Sequence, residues 1–324
     1  LTRLLIFEPS FRRIEDHLRD LGVEAVVVGR DGSLAADVDP DIGWFSGELY
    51  QQSAAPVLLR AALAAPNLTW FQSAAAGFDN PFFARLVAKG VRLTTSHGQA
   101  VGMADTVLAG VLDHFQRGPE RRAAQAKSEW RVLPFREVQG STWLIIGFGA
   151  VGQGVARRAK AFGARIIGVR RDQTPDPAAD VIASLSEVPR LLPEADVVLL
   201  CPPLNADTRH LANAAFFAAM KEGAVLANVG RGALVDETAL LAALDHGAPG
   251  HAVLDVFETE PLPAESPLWA HPRVSVTAHC SGVTGAQDGR NEVLFLDNLR
   301  RWLAGQPLLH EVDPKDVAEP PPRN

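Results

Sequence analysis

The run Trp143-Leu144-Ile145-Ile146-Gly147-Phe148-Gly149-Ala150-Val151-Gly152 constrains this chain more than any other feature. An apolar strand leads into glycines spaced GxGxxG, and Val155, Ala156 and Ala159 continue at helical spacing. Each glycine answers a separate need. Gly147 permits a tight turn, Gly149 removes a side chain where a pyrophosphate approaches the backbone, and Gly152 lets helix and strand pack closely. Ala150 and Val151 open the helix, whose N-terminus attracts negative charge. Strand, turn and helix in this order predict a dinucleotide site rather than a flexible glycine turn.

The next strand sets the cofactor. NAD-preferring sites carry an acid after the second strand, about 20 residues beyond the glycines. Here the strand Arg165 to Val169 ends in Arg170-Arg171, ahead of Asp172. Guanidinium groups form forked hydrogen bonds with a 2'-phosphate, which a carboxylate repels. NADPH is therefore the expected cofactor, with NADH possible if Asp172 takes the ribose hydroxyls.

Short apolar runs alternate with helix-length amphipathic stretches throughout the 324 residues, which predicts an α/β chain of parallel sheets. A first series of strands falls at Leu4 to Phe7, Val23 to Val28, Ile42 to Phe45, Leu68 to Gln72 and Val91 to Thr94. Helical patterns follow at 102–115 and 121–127. A second series falls at Thr142 to Ile146, Arg165 to Val169, Asp196 to Leu200, Ala224 to Val229, Ala252 to Val256 and Val274 to Val276. A last helical pattern runs from Asn291 to Leu303, with Val293, Leu294, Leu296, Leu299 and Leu303 as its apolar residues. The expected architecture is two doubly wound domains: a Rossmann cofactor domain at 98–283, and a smaller flavodoxin-like substrate domain made of 1–97 and 284–324. The tail from Asp313, with Pro320, Pro321 and Pro322, is expected to fray or lie on the surface.

Composition excludes several partners. With 31 Lys and Arg against 38 Asp and Glu, the net charge of -7 repels nucleic-acid phosphates and anionic bilayers. The opening run Leu1 to Phe7 is too short for a signal or spanning segment and reads as a buried strand. Cys201 and Cys280 are too few for a disulfide framework or a cysteine zinc site, so no metal and a reducing cytoplasm are expected.

Three segments carry candidate chemistry at strand ends: Asn228-Val229-Gly230-Arg231-Gly232, Leu254 through Pro261, and Val274 through His279. Ligands of open parallel sheets collect beyond the carboxyl ends of the strands, so Arg231, Glu260 and His279 can converge there. Reduction of a 2-oxo acid needs a cation for the carboxylate and a proton for the oxygen that becomes negative. Arg231 and His279 supply those functions. Glu260 near the imidazole is expected to favour its charged form and fix its orientation. Singly, each is an ordinary surface cation, turn acid or structural histidine; their joint occurrence on one dinucleotide fold carries the assignment.

The segments Val229 through Glu237, Leu254-Asp255-Val256-Phe257 and Glu260-Pro261-Leu262-Pro263 resemble the D-isomer-specific 2-hydroxyacid dehydrogenases. Glu265-Ser266-Pro267-Leu268-Trp269, His271-Pro272-Arg273-Val274 and the arginine pair look like the NADPH-using glyoxylate/hydroxypyruvate reductase branch. The resemblance implies D stereochemistry and a lid-closing homodimer. It assigns Arg231 to the substrate carboxylate and carbonyl, Glu260 to support of the imidazole, and His279 to proton transfer. It also implies that Asp255 contacts the nicotinamide amide, with Val229 and Gly230 on the cofactor side. Ser73 through Asp79 is similar to the loop whose amides receive the substrate carboxylate, pointing to Ala76 and Gly77. Cys201-Pro202-Pro203-Leu204 through Thr208 is similar to the loop along the adenosine, and Trp44 is a candidate pocket wall.

The chain departs from the pattern after the histidine, where an apolar residue and then glycine are usual and Cys280-Ser281-Gly282 stands. Ser281 is expected to narrow or polarise the substrate pocket. Cys280 reads as a small filler and His97, beside Gly98, as a hinge or cleft wall. Two rivals remain. A cofactor-sensing binding protein or corepressor would associate with partners and turn over no 2-oxo acid. Formate oxidation would call for a neutral amide where Glu260 stands.

Overall fold

Apolar runs between polar turns form parallel strands in the computed structural model, which describes residues 1–35, 38–78 and 80–317. Among them the strands are β1 (Thr2–Phe7), β2 (Val23–Val28), β3 (Ile42–Phe45), β4 (Trp70–Ser73), β5 (Arg92–Thr94), β6 (Thr142–Ile146), β7 (Arg165–Val169), β8 (Val181–Ala183), β9 (Val197–Leu200), β10 (Val225–Asn228), β11 (His251–Leu254) and β12 (Val274–Val276). They form two sheets, ordered β2-β1-β3-β4-β5 and β12-β11-β10-β9-β6-β7-β8, with every pairing parallel. The chain divides into two compact units, Leu1–Gln99 with the stretch from Thr284, and Ala100–Val283. Among the described residues no helix is long and apolar enough to cross a membrane.

In the first unit, side-chain alternation along each strand builds two cores. Leu5, Phe7, Phe45 and Phe71 face the helices Ala55–Ala64 and Pro81–Ala88, the latter capped by Asn80 through the Phe82 amide. Leu4, Ile6, Trp44 and Trp70 face Phe295 and Leu299 of the helix Gln287–Leu303. This overturns the expected place of Trp44. Its ring is 1% exposed and stacks on Phe295 at 4.3 Å, so it is core rather than pocket wall.

One further expectation fails for an identifiable reason. Val293 is 71% exposed, because the inner face of its helix includes Asn291 and Asn298 beside Phe295 and Leu299. Asn298 bonds Gln72 Oε1 and the Leu309 carbonyl, so polar residues hold part of the stripe that apolar counting misplaces. In the described part of the tail Asp313 to Asp316 are exposed along the surface, and Val317 alone turns into the core; just ahead of it Glu311 forms a bridge with Thr94 and a forked ion pair with Arg92. Pro320 to Pro322 lie outside the described residues.

The second unit has seven strands where the sequence predicts six. The additional β8 is three residues long, too short to show a period. Its sheet is buried on both faces, with Leu144, Ile146 and Leu200 on one side and Trp143, Ile145 and Val155 on the other. Chain order reverses between β6 and β9, whose carboxyl ends lie side by side; the Cys201 amide bonds the Ile146 carbonyl at 2.8 Å. A crevice beyond such a reversal is where ligands of open α/β sheets bind.

Candidate active site

The turn after β6 has the three properties that its glycines predict. Gly147 has φ +97°, and a Cβ there would stand 2.4 Å from the Cys201 and Pro202 backbone. A Cβ on Gly152 would meet the Gly147 carbonyl at 2.5 Å, so helix and strand touch backbone to backbone. Around Gly149 nothing lies within 4 Å of that position. The open space sits at the N-cap of the helix Ala150–Ala161, beside Ala150 and Val151, and no side chain caps the helix there. These residues fit a pyrophosphate: room at one glycine and free helix-end amides beside it.

Around this turn, the Cys201 thiol donates to the Gly147 carbonyl, and burial pushes its pKa up to about 12, leaving it inert. Pro202 is buried, and Thr208 folds inward, its hydroxyl donating to the Pro203 carbonyl at 2.7 Å. At the end of β7, Arg170 is braced within its own loop by the Asp172 and Thr174 carbonyls and by Asp176 at 3.2 Å. Arg171 is exposed. Asp172 is committed to Thr174, whose hydroxyl and amide hold its carboxyl below the usual range.

The three chemical segments meet at neighbouring strand ends. After β10, Asn228 is fully buried and closes the turn Val229-Gly230-Arg231, accepting from the Gly230 amide at 3.1 Å and donating to the Arg231 carbonyl at 2.9 Å. Arg231, half-buried, donates to the Gly230 carbonyl. A Cβ at Gly232 would stand 1.8 Å from the Phe257 carbonyl carbon, so only glycine lets this turn rest on the chain leaving β11.

Beyond β11, the Glu260 carboxylate is divided. One oxygen accepts the Phe257 amide at 3.0 Å and the other lies 2.7 Å from His279 Nδ1. Neither side chain is buried, at 51% exposure for His279 and 35% for Glu260. Such a pair adds little to stability, on the order of 0–1 kcal/mol, so its consequence is the orientation of the ring. Glu237 accepts the Glu258 amide at 2.7 Å and has a raised pKa, caused first by burial, which the Glu258 amide opposes, and then by the charges of Glu258 and Glu260. Asp255, 2% exposed, points into the loop after β12 and accepts from Thr277, Cys280 and Ser281. Ser281 is 5% exposed with its hydroxyl on Asp255, which leaves it turned inward rather than toward a ligand.

Ala76 and Gly77 lie in the first unit, in the bend after β4; Asp79 of the same loop is outside the described residues. His97 also lies there, its ring 4.3 Å from that of His310, and burial lowers its pKa to about 4, so it is a neutral imidazole near pH 7. Two open clefts of about 700 and 690 Å³ lie at the opposite end of the second sheet, around Lys221 and His251, and neither is lined by Arg231, Glu260 or His279. Asn228, Gly232 and Thr277 were not singled out from the sequence as holding this site. Their signal is nearness in sequence: Asn228 and Gly232 lie on either side of Arg231, and Thr277 stands two residues before His279.

A doubly wound dinucleotide fold with an imidazole–carboxylate pair at its strand ends is the framework of a nicotinamide-dependent oxidoreductase. Residues 108–281 match the family described as "D-isomer specific 2-hydroxyacid dehydrogenase, NAD binding domain". The glyoxylate/hydroxypyruvate reductase B of Citrobacter koseri is 36% identical over 257 residues, 77% of this chain and 79% of that protein. The (S)-sulfolactate dehydrogenase of Chromohalobacter salexigens is 36% identical over 215 residues, 65% of this chain and 69% of the relative. Among solved structures, an NADPH-dependent glyoxylate/hydroxypyruvate reductase of Sinorhizobium meliloti, in complex with NADP and sulfate, superposes with a TM-score of 0.78 at 28% identity, covering 98% of this chain and 99% of that one. The chain belongs to the D-isomer-specific 2-hydroxyacid dehydrogenase family, and it is an oxidoreductase.

Proposed function

We propose that this enzyme reduces a small 2-oxo acid of the glyoxylate or hydroxypyruvate kind to the D-2-hydroxy acid, with NADPH as the preferred donor. The observation that carries the reading is the 2.7 Å contact of His279 Nδ1 with Glu260, on the same carboxyl-terminal edge of the parallel sheet as the open glycine turn. When bound, the reduced nicotinamide supplies the hydride to the carbonyl carbon of the substrate. Gly147, Gly149, Ala150, Val151 and Gly152 hold the pyrophosphate, Arg171 takes the 2'-phosphate while Arg170 braces the loop that carries it, and the segments at Cys201 to Thr208 and Val229-Gly230 line the dinucleotide. Arg231 neutralises the substrate carboxylate and polarises the carbonyl. Glu260 holds Nδ1, so the transferable proton sits on Nε2 of His279 and passes to the oxygen as it becomes an alkoxide. Ala76 and Gly77 are the candidate carboxylate-binding residues of the first unit, which is read as the substrate domain, and residues 98–283 are read as the cofactor domain.

A homodimer completes the reading. The segment between the helix Gly118–Ala126 and β6 exposes Trp130 at 99% and Val132 at 84%, apolar surface of the kind that partners cover. A reducing cytoplasm is the location that suits Cys201 and Cys280, both free thiols. The test is a spectrophotometric panel of glyoxylate, hydroxypyruvate, pyruvate and a phenyl-substituted 2-oxo acid, each with NADPH and NADH. Turnover of the two small acids, faster with NADPH, is the expected result. Absence of turnover on all four defeats the proposal, and a monomer by light scattering defeats the dimer.

A further inference from the structure

His279 has φ +48°, a left-handed backbone that side chains other than glycine seldom adopt. Two kinds of contact keep it there. Its own amide donates to the Asp255 carbonyl at 2.8 Å, and the residues flanking it are tied to the Asp255 carboxylate. One carboxylate oxygen accepts the Thr277 hydroxyl at 2.6 Å, the Cys280 amide at 2.9 Å and the Ser281 amide at 3.1 Å. The other accepts the Ser281 amide at 3.1 Å and the Ser281 hydroxyl. Asp255 and Ser281 are both buried, so water does not replace a lost partner without rearrangement. The Ser281 carbonyl is held in turn by the Thr106 hydroxyl at 3.3 Å.

The partner of the imidazole has a separate anchor, because Glu260 rests on the Phe257 amide. The chain leaving β11 therefore fixes both members of the pair: residue 257 fixes the carboxylate, and residue 255 fixes the backbone of the histidine. We propose that Ser281 is a positioning residue for His279: its hydroxyl, with that of Thr277, locks the Asp255 carboxylate that sets the backbone on either side of the imidazole. Without the hydroxyl, the outer oxygen keeps only an amide that it shares with its neighbour. The turn at 279 then relaxes while Glu260 stays in place, and the ring drifts from its partner. Serine thus does work here that a glycine at this position does not.

The proposal rests on the reading of His279 as the proton donor, and the experiment separates the two. Ser281→Ala and Thr277→Val are each expected to lower kcat on the 2-oxo acid about tenfold, since small misplacements of reacting groups are costly. NADPH affinity, by fluorescence titration, stays within about twofold of the parent in both, because the change acts on the proton and not on the dinucleotide. The solvent deuterium isotope effect on kcat rises, and Ser281→Thr and Thr277→Ser restore most of the rate. Parent-like kcat and isotope effect in both deletions overturn the proposal, as does a loss of rate matched by an equal loss of NADPH affinity. A His279→Ala enzyme with parent-level activity removes the underlying reading instead.

Discussion

Glu260 reaches two residues at once, with Oε2 2.7 Å from His279 Nδ1 and Oε1 accepting the Phe257 amide at 3.0 Å. Glutamine at this position preserves the shape and the Phe257 contact while removing the charge. Glu260→Gln is expected to lower kcat/KM for the 2-oxo acid about 10²-fold, the lower end of what a supported acid contributes. The thermal midpoint should move by no more than about 3 °C, because the pair is exposed. Steady-state kinetics and a melting curve on the same sample check both, and parent-like kinetics would detach Glu260 from the chemistry.

Gly147 and Gly149 are two residues apart and should fail differently. Alanine at 147 meets backbone at 2.4 Å and a φ of +97°, and is expected to destabilise by about 3 kcal/mol or more. Alanine at 149 meets nothing within 4 Å, so the protein should fold as the parent does. Its methyl then occupies the space read as the pyrophosphate's, and NADPH binding should weaken about 10²-fold or more. Denaturation curves with cofactor titration distinguish the pair; unchanged affinity in Gly149→Ala would place the phosphates elsewhere.

Much of this was legible beforehand because it depends on local pattern. The bounds of β6 and β7 follow from contiguous apolar runs, and the glycine turn from its fixed spacing. What escaped depends on partners distant in sequence. Trp44 sits at a strand end like a pocket residue, yet a helix some 250 residues later covers it with Phe295. Val293 continues an apolar period, but the inner face is shared with Asn298, bonded to Gln72 and Leu309, and with Asn291, which accepts the Ser96 hydroxyl. Ser281 looked like a residue facing a ligand because it follows His279; the turn at positive φ directs it inward to Asp255.

The arginine pair should separate as well. Arg170 spends its guanidinium on two carbonyls and Asp176 of its own loop, whereas Arg171 stands exposed at the end of β7. Arg171→Ala is expected to weaken NADPH about tenfold or more with little effect on NADH, the loss of a charge-assisted contact to the 2'-phosphate. Arg170→Ala loosens the loop and should weaken both cofactors to similar extents. Michaelis constants for each cofactor decide this, and equal losses in Arg171→Ala would mean that other groups hold the phosphate.

His251 gives a prediction about stability against pH. Its ring stacks on His114 at 4.4 Å and bonds the Ser275 hydroxyl, and its pKa is lowered to about 4. Burial is the first cause, with His114 and His271 adding repulsion and Asp113 opposing it. The unfolded chain takes up this proton near pH 6.5, the folded protein only near 4, so between those values the unfolded state binds more protons. Stability therefore falls as the pH drops from about 6.5 towards 4, and the contribution is fully present above 6.5. His251→Asn keeps a polar group near Ser275 and removes the titration. The difference in thermal midpoint between pH 7 and pH 5 should shrink in this variant; an unchanged difference would show that other groups set the acid limb.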